Sequence, residues 1–218
     1  MEYSIRFFRV AARFLGIARM DLHEVAEILR GLGYTITAPQ PPKGFKVSIG
    51  GSGPIASKGN VVVDVNSDKM IIGVSSPEPE ECISEFVMVE KAITSRIEAL
   101  KEVYFYELLA EIEVKSNVQP IEFMKRVSSR NVIVEELSRA LGEPLFVFGY
   151  RLAREGTSPE ESEWVDIEII PSLARPRSSL YIAIVYRSRE REKVLEKGRN
   201  IRNLMNAIRK LVASSNEH

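Results

Sequence analysis

The chain is poor in the residues on which disulfide scaffolds and many enzymes depend. One cysteine (Cys82), two histidines (His23 and His218) and one tryptophan (Trp164) stand in 218 residues. A lone thiol has no intramolecular partner, which excludes a disulfide framework and predicts a reducing, cytoplasmic setting. No stretch approaches the roughly 20 apolar residues that cross a bilayer, so no membrane partner is expected. Net charge is missing too: 30 Lys+Arg balance 30 Asp+Glu, with 12 bases against 13 acids through Glu102 and 18 against 17 beyond it. Neither half is a basic nucleic-acid module, and phosphate binding would have to rest on a local cluster. Glutamine occurs only at Gln40 and Gln119, and with abundant Arg, Glu and Ile this is the composition of a thermophile protein.

What is present is ordinary for a globular chain, 44% hydrophobic and 28% charged, enough for one large or two small domains. Arg6, Arg9, Arg13 and Arg19 follow one another without an acid between Glu2 and Asp21, as in an amphipathic transit peptide. Tyr3, Ile5 and Phe7 nevertheless alternate with Ser4 and Arg6, which predicts a strand over 3–14. Asp21 then reads as the N-cap of a helix with Leu22, Val25, Ala26 and Leu29 on one face and Gly31 and Gly33 at its end. Residues 34–59 mix extended residues with Pro and Gly and predict one or two strands bordered by loops, with 49–59 a flexible hairpin loop. Val61–Val65 and Met70–Val74 flank a polar turn and predict a hairpin. From 77 to about 101 the period turns helical, with Ile83, Phe86, Val87, Ile97 and Leu100 on one face and Glu78, Glu80 and Glu81 near its positive end.

The second half repeats that order. A strand over 103–114 turns Leu108, Ala110, Ile112 and Val114 to one side, and a Pro120-initiated helix runs to Leu141. Strands follow at 144–153, 164–171 and 179–188, and a long helix over 190–212 closes the chain. Each half is thus strand, short helix, antiparallel strands, long helix, with units at 1–102 and 103–218. A sheet with one apolar face needs a cover, and each closing helix carries the matching stripe. The predicted class is α+β: two tandem strand-helix-sheet-helix units, the sheet covered on one side by long amphipathic helices.

The order β-α-β(3–4)-α, taken twice, resembles the TATA-box-binding-protein-like fold, and the stretch from Asn60 to Ile93 carries most of the likeness: a strand, a polar turn with Lys69, a strand ending in Gly73, then a Glu-rich helix start. The resemblance implies two such units with their helices on one side. The paired phenylalanines that wedge into base steps in that family have no counterpart at matching positions here, so the resemblance implies a fold and not DNA binding. The helix-grip carriers of apolar ligands share a similar strand and helix order.

No catalytic or metal-binding motif is complete, and no cofactor is implied. His23-Glu24 opens a zinc-protease pattern, but Glu27 stands where the second His is required. The glycine-rich 49–59 lacks phosphate-loop spacing. Cys82, between Glu81 and Ile83, reads as packed and inert. Alternation turns Glu107, Glu111 and Glu113 of one strand and Trp164, Asp166 and Glu168 of another to the face away from the core, an acidic surface unless neighbouring strands supply Arg or Lys. From Arg187 to Lys210, nine bases outnumber three acids. The reading that follows is a non-enzymatic protein that contacts protein or nucleic acid. Its surface would be Trp164, Asp166 and Glu168 on the sheet, or the basic C-terminal segment with Arg187, Arg199 and Arg202. Two others stand beside it: a carrier of a small apolar ligand lined by Phe146, Phe148, Tyr150, Tyr181 and Tyr186, and an enzyme built on paired carboxylates such as Asp166 and Glu168.

Overall fold

The structure, a computed structural model, describes residues 3–16, 20–37, 52–116, 118–128 and 131–214. The first unit contains β1 (Tyr3–Phe14), α1 (Leu22–Gly31), β2 (Thr35–Ile36), β3 (Ser52–Lys58), β4 (Val61–Asn66), β5 (Ile71–Ser75) and α2 (Pro79–Arg96), followed by a 3-10 turn at Glu98–Leu100. The second contains β6 (Val103–Lys115), α3 (Pro120–Ser128), α4 (Val132–Leu141), β7 (Tyr150–Ala153), β8 (Trp164–Pro171), β9 (Ser179–Ser188), α5 (Arg191–Arg199) and α6 (Ile201–Ser214). The α+β class and the order expected from the repeat are both present.

The nine strands of the described residues form one antiparallel sheet in the order β2-β3-β4-β5-β1-β6-β9-β8-β7. The order mirrors itself about the β1–β6 pair, which runs from Tyr3 opposite Val114 to Phe14 opposite Val103. Thus β1 matches β6, β5 matches β9, β4 matches β8, and β3 matches β7. A chemical trace of the repeat sits before each closing helix. The Glu78 N–H donates to Ser76 Oγ and the Glu190 N–H to Ser188 Oγ, each at 3.2 Å, and both serines are buried. In each unit a Ser-x-Glu turn carries the chain from the last strand into the helix that covers the sheet.

Period-two alternation explains the inner face: Phe8, Val10, Ala12 and Phe14 from β1, Leu108, Ala110, Ile112 and Val114 from β6, and Leu180, Ile182 and Ile184 from β9 belong to one core. Helix α2 lays Cys82, Ile83, Phe86, Val89 and Ile93 on it, and α5 adds Val194 and Leu195. The two helices also touch each other. Gly198 permits this, since a Cβ there would lie 3.0 Å from Ile83 Cδ1 and 3.1 Å from Phe8 Cζ. Buried Glu90 of α2 accepts from Tyr106 Oη at 3.1 Å and from Arg191 Nη1 at 3.0 Å, tying the first unit's long helix to the second's.

Four local expectations change. The stretch 190–212 is two helices, because the chain turns at Asn200, whose N–H still donates to Glu196 O at 2.9 Å. The 120–141 stretch is likewise two, with Asn131 capping α4 by accepting from the Ile133 and Val134 N–H groups. The loop expected over 49–59 is, from Ser52 to Lys58, the paired strand β3, with a bulge between Pro54 and Ala56; its first residues, and the rest of 38–51, lie outside the described residues. Only Tyr150–Ala153 of the predicted 144–153 strand pairs. Gly149 marks its start, where a Cβ would lie 2.3 Å from Ile170 Cγ2. The segment before it leaves Leu145, Phe146 and Phe148 exposed.

Candidate interaction surface

On the helix-free side of the sheet the predicted acids are present, but arginines from adjacent strands and from the β8–β9 turn meet them. Arg9 of β1 passes over Gly73 of β5, where any Cβ would sit 2.3 Å from its Nε, to donate to Asp64 Oδ1 at 2.8 Å and Oδ2 at 2.6 Å. Arg9 Nη1 is also 4.0 Å from Glu107 Oε1, and Arg187 of β9 donates from Nε to Glu107 Oε2. Asp64, Arg9, Glu107 and Arg187 therefore alternate in charge across the junction of the two units. Further along, Arg6 and Arg175 both donate to Glu113 Oε2, and Arg151 of β7 chelates Asp166 of β8, its Nη2 2.6 Å from Oδ2. Charge-assisted bidentate pairs of this kind fix geometry. They leave a mixed, largely neutralised surface in place of the acidic face expected.

The six residues singled out from the sequence do not form one site. Trp164 is buried, 8% exposed, and sits opposite Arg187 in the β8–β9 register. Asp166 is buried under Arg151. Arg187 is held by Glu107 and by Pro159 O and lies over the Phe105 ring at 4.9 Å. Glu168 is half-buried on the same face. Arg199 and Arg202 are exposed on α5 and α6, and with Lys197 they meet no acid among the described residues. The aromatic lining expected of a carrier is dispersed: Phe146 and Phe148 are exposed, Tyr181 lies on the helix-free face, and of the five only Tyr186 lines the groove described next. No cluster of three or more His, Cys, Asp or Glu that could hold a metal occurs among the described residues.

The two units differ most on the helix side. In the first, α1 buries Leu22, Val25, Ala26, Ile28 and Leu29, and the inner residues of β4, Val61, Val63 and Val65, are all at most 1% exposed. In the second, α3 sends Phe123 and Met124 into the core, but α4 buries no residue. Its Ile133, Leu137 and Leu141, at i, i+4 and i+8 of one face, are 69%, 50% and 65% exposed. The β8 residues that match Val61–Val65 are correspondingly open. Val165 and Ile167 are half-buried, and Leu152 of β7, opposite Ile167, is exposed. Between these strands and α6 runs a groove of about 460 Å³. Its floor is Val165, Ile167, Ile184 and Tyr186, its wall is Ile201 and Leu204, and its lip is Lys197, Asn200 and Asn203. No sequence signal finds the groove; the signal for α4 is its amphipathic period alone.

The sequence matches no protein-family model and no curated protein. Among solved structures, the TBP of Methanococcus jannaschii is similar over 98% of this chain and 99% of that one, at 13% identity and a TM-score of 0.37. No helix among the described residues is long and apolar enough to cross a membrane.

Proposed function

We propose that this is a non-enzymatic binding protein that contacts another protein through the helix side of its second unit. The observation that carries the reading is that α4 buries none of its apolar residues, with Leu145 and Phe146 exposed beside it. Contiguous exposed apolar side chains in a folded chain mark interaction surfaces. Asp166, one of the paired carboxylates an acid-based enzyme would use, is chelated by Arg151, and Glu107 and Glu113 on the same face are engaged by Arg187 and by Arg6 and Arg175, which supports binding over catalysis. A photo-reactive residue placed at Phe146 in the native cell tests this. Discrete protein cross-links that disappear in Leu137→Glu are expected, and a cross-link pattern indifferent to that change would reject the surface.

A second reading rests on Lys197, Arg199 and Arg202, which meet no acid among the described residues and suit a phosphate backbone. It predicts oligonucleotide binding that weakens with salt and weakens further in Arg199→Glu and Arg202→Glu. Binding that ignores both substitutions excludes these helices as the contact.

A further inference from the structure

We propose that the protein occupying this surface is a second copy of the chain, with α4 of each protomer seated in the groove between β8 and α6 of the other. The inference rests on the preceding reading and names its partner.

The chain carries two unsatisfied apolar surfaces in the same unit, and each has the shape the other lacks. One is the stripe Ile133, Leu137 and Leu141 on a single helix; the other is an apolar floor at Val165, Ile167 and Tyr186 with a wall at Leu204. An amphipathic helix laid into an apolar groove by i, i+4 anchors is a standard recognition mode. The first unit shows how much such a cover accomplishes on this sheet, since the matching β4 residues beneath α2 are at most 1% exposed. Within the single chain α4 is not on the groove: none of its residues lines it.

Charge agrees with the fit. Glu143, just beyond the Leu141 end of the stripe, has no basic partner among the described residues, and neither Lys197 at the groove lip nor Arg202 beside it has an acidic one there. A helix seated by its stripe with Glu143 at the lip supplies a missing counter-charge. Because helix and groove belong to the same chain, each protomer gives and receives one helix, which closes a twofold dimer without leaving a free end to extend a fibre.

Sedimentation equilibrium of the full chain is expected to give twice the 24.6 kDa protomer mass. Leu137→Glu, a change at an exposed position, should return a folded monomer with an unchanged circular dichroism spectrum. Lys197→Glu should weaken the dimer on the order of tenfold, with partial recovery when Glu143→Lys is added. A mixture of Leu137→Cys and Leu204→Cys chains, oxidised together, should give a covalent heterodimer, since buried Cys82 stays out of the reaction. A monomer at ~100 μM, a dimer untouched by Leu137→Glu, or a disulfide that forms only inside the doubly substituted chain each overturns the proposal. The photo-cross-links from Phe146 to other proteins are a separate readout, so the broader surface can stand or fall independently of self-association.

Discussion

At Glu113 burial and ion pairing oppose each other. Desolvation pushes its carboxyl up, but the hydrogen bonds donated by Arg6 and Arg175 outweigh this and hold it below the ordinary carboxylate value. Glu163 is also lowered: burial again opposes, and the Arg189 N–H, Ser188 Oγ and Arg154 prevail. A carboxyl more acidic in the folded than in the unfolded chain contributes stability that is fully present above its unfolded value and is lost as pH falls through its folded one. Denaturant midpoints measured from about pH 7 to pH 2 should therefore fall less steeply in Glu113→Gln than in the wild type, with the two curves converging at the acid end. At Cys82 desolvation raises the thiol to about 12, and its Sγ donates to Val74 O at 3.1 Å. Alkylation by iodoacetamide in native buffer should proceed no faster than global unfolding; rapid labelling of the folded chain would contradict its burial. Packing of Cys82 was legible from its apolar helical surroundings. The partners of Glu113 were not, since Arg6 and Arg175 lie 107 and 62 residues away.

Among elements, α1 and α4 have the same length and comparable apolar periodicity, yet only one is packed. Charge placed on their apolar faces should reveal the difference. Ile28→Glu puts a carboxylate into the core and should cost several kcal/mol, on the order of 3 or more. Leu137→Glu should leave the unfolding free energy of the monomer within about 0.5 kcal/mol, both read from urea melts. Equal losses, in melts at concentrations where the chain is monomeric, would mean that α4 packs within its own chain. The helix crossing at Gly198 is the second test at this scale. Gly198→Val drives two methyl groups toward Ile83 and Phe8 and should destabilise by about 1–3 kcal/mol through overpacking. The helical period over 190–212 was legible, but the turn at Asn200 was not. Its apolar residues continue through the turn, and the change of direction follows from where α5 packs against β6, β9 and α2.

At the scale of the whole molecule the two units are one body. Strands β1 and β6 pair along their whole lengths at the centre of the sheet, and Arg9, Glu107, Arg187 and Asp64 stitch the same seam. Cutting the chain after Glu102 would leave each fragment with a long unpaired edge strand and an open core. Neither 1–102 nor 103–218 expressed alone is expected to show a cooperative thermal transition, and a native-like melt from either fragment would show that the units fold independently. The repeat was legible because hydrophobic period and turn residues are local, and they place strand, helix and closing helix twice over. Its asymmetry was not, because nothing in the periodicity of 132–141 says whether a helix finds a neighbour.

The amino-acid order by itself determined the elements, their inner faces and the α+β class, since alternation and helical spacing act over a few residues. Tertiary structure alone decided which arginine meets which carboxylate, that Trp164 is buried, and that α4 and the β8–α6 groove both stay open. Each of those depends on strand neighbours and helix contacts between residues far apart in the chain, where side chains compete for the same space and charge.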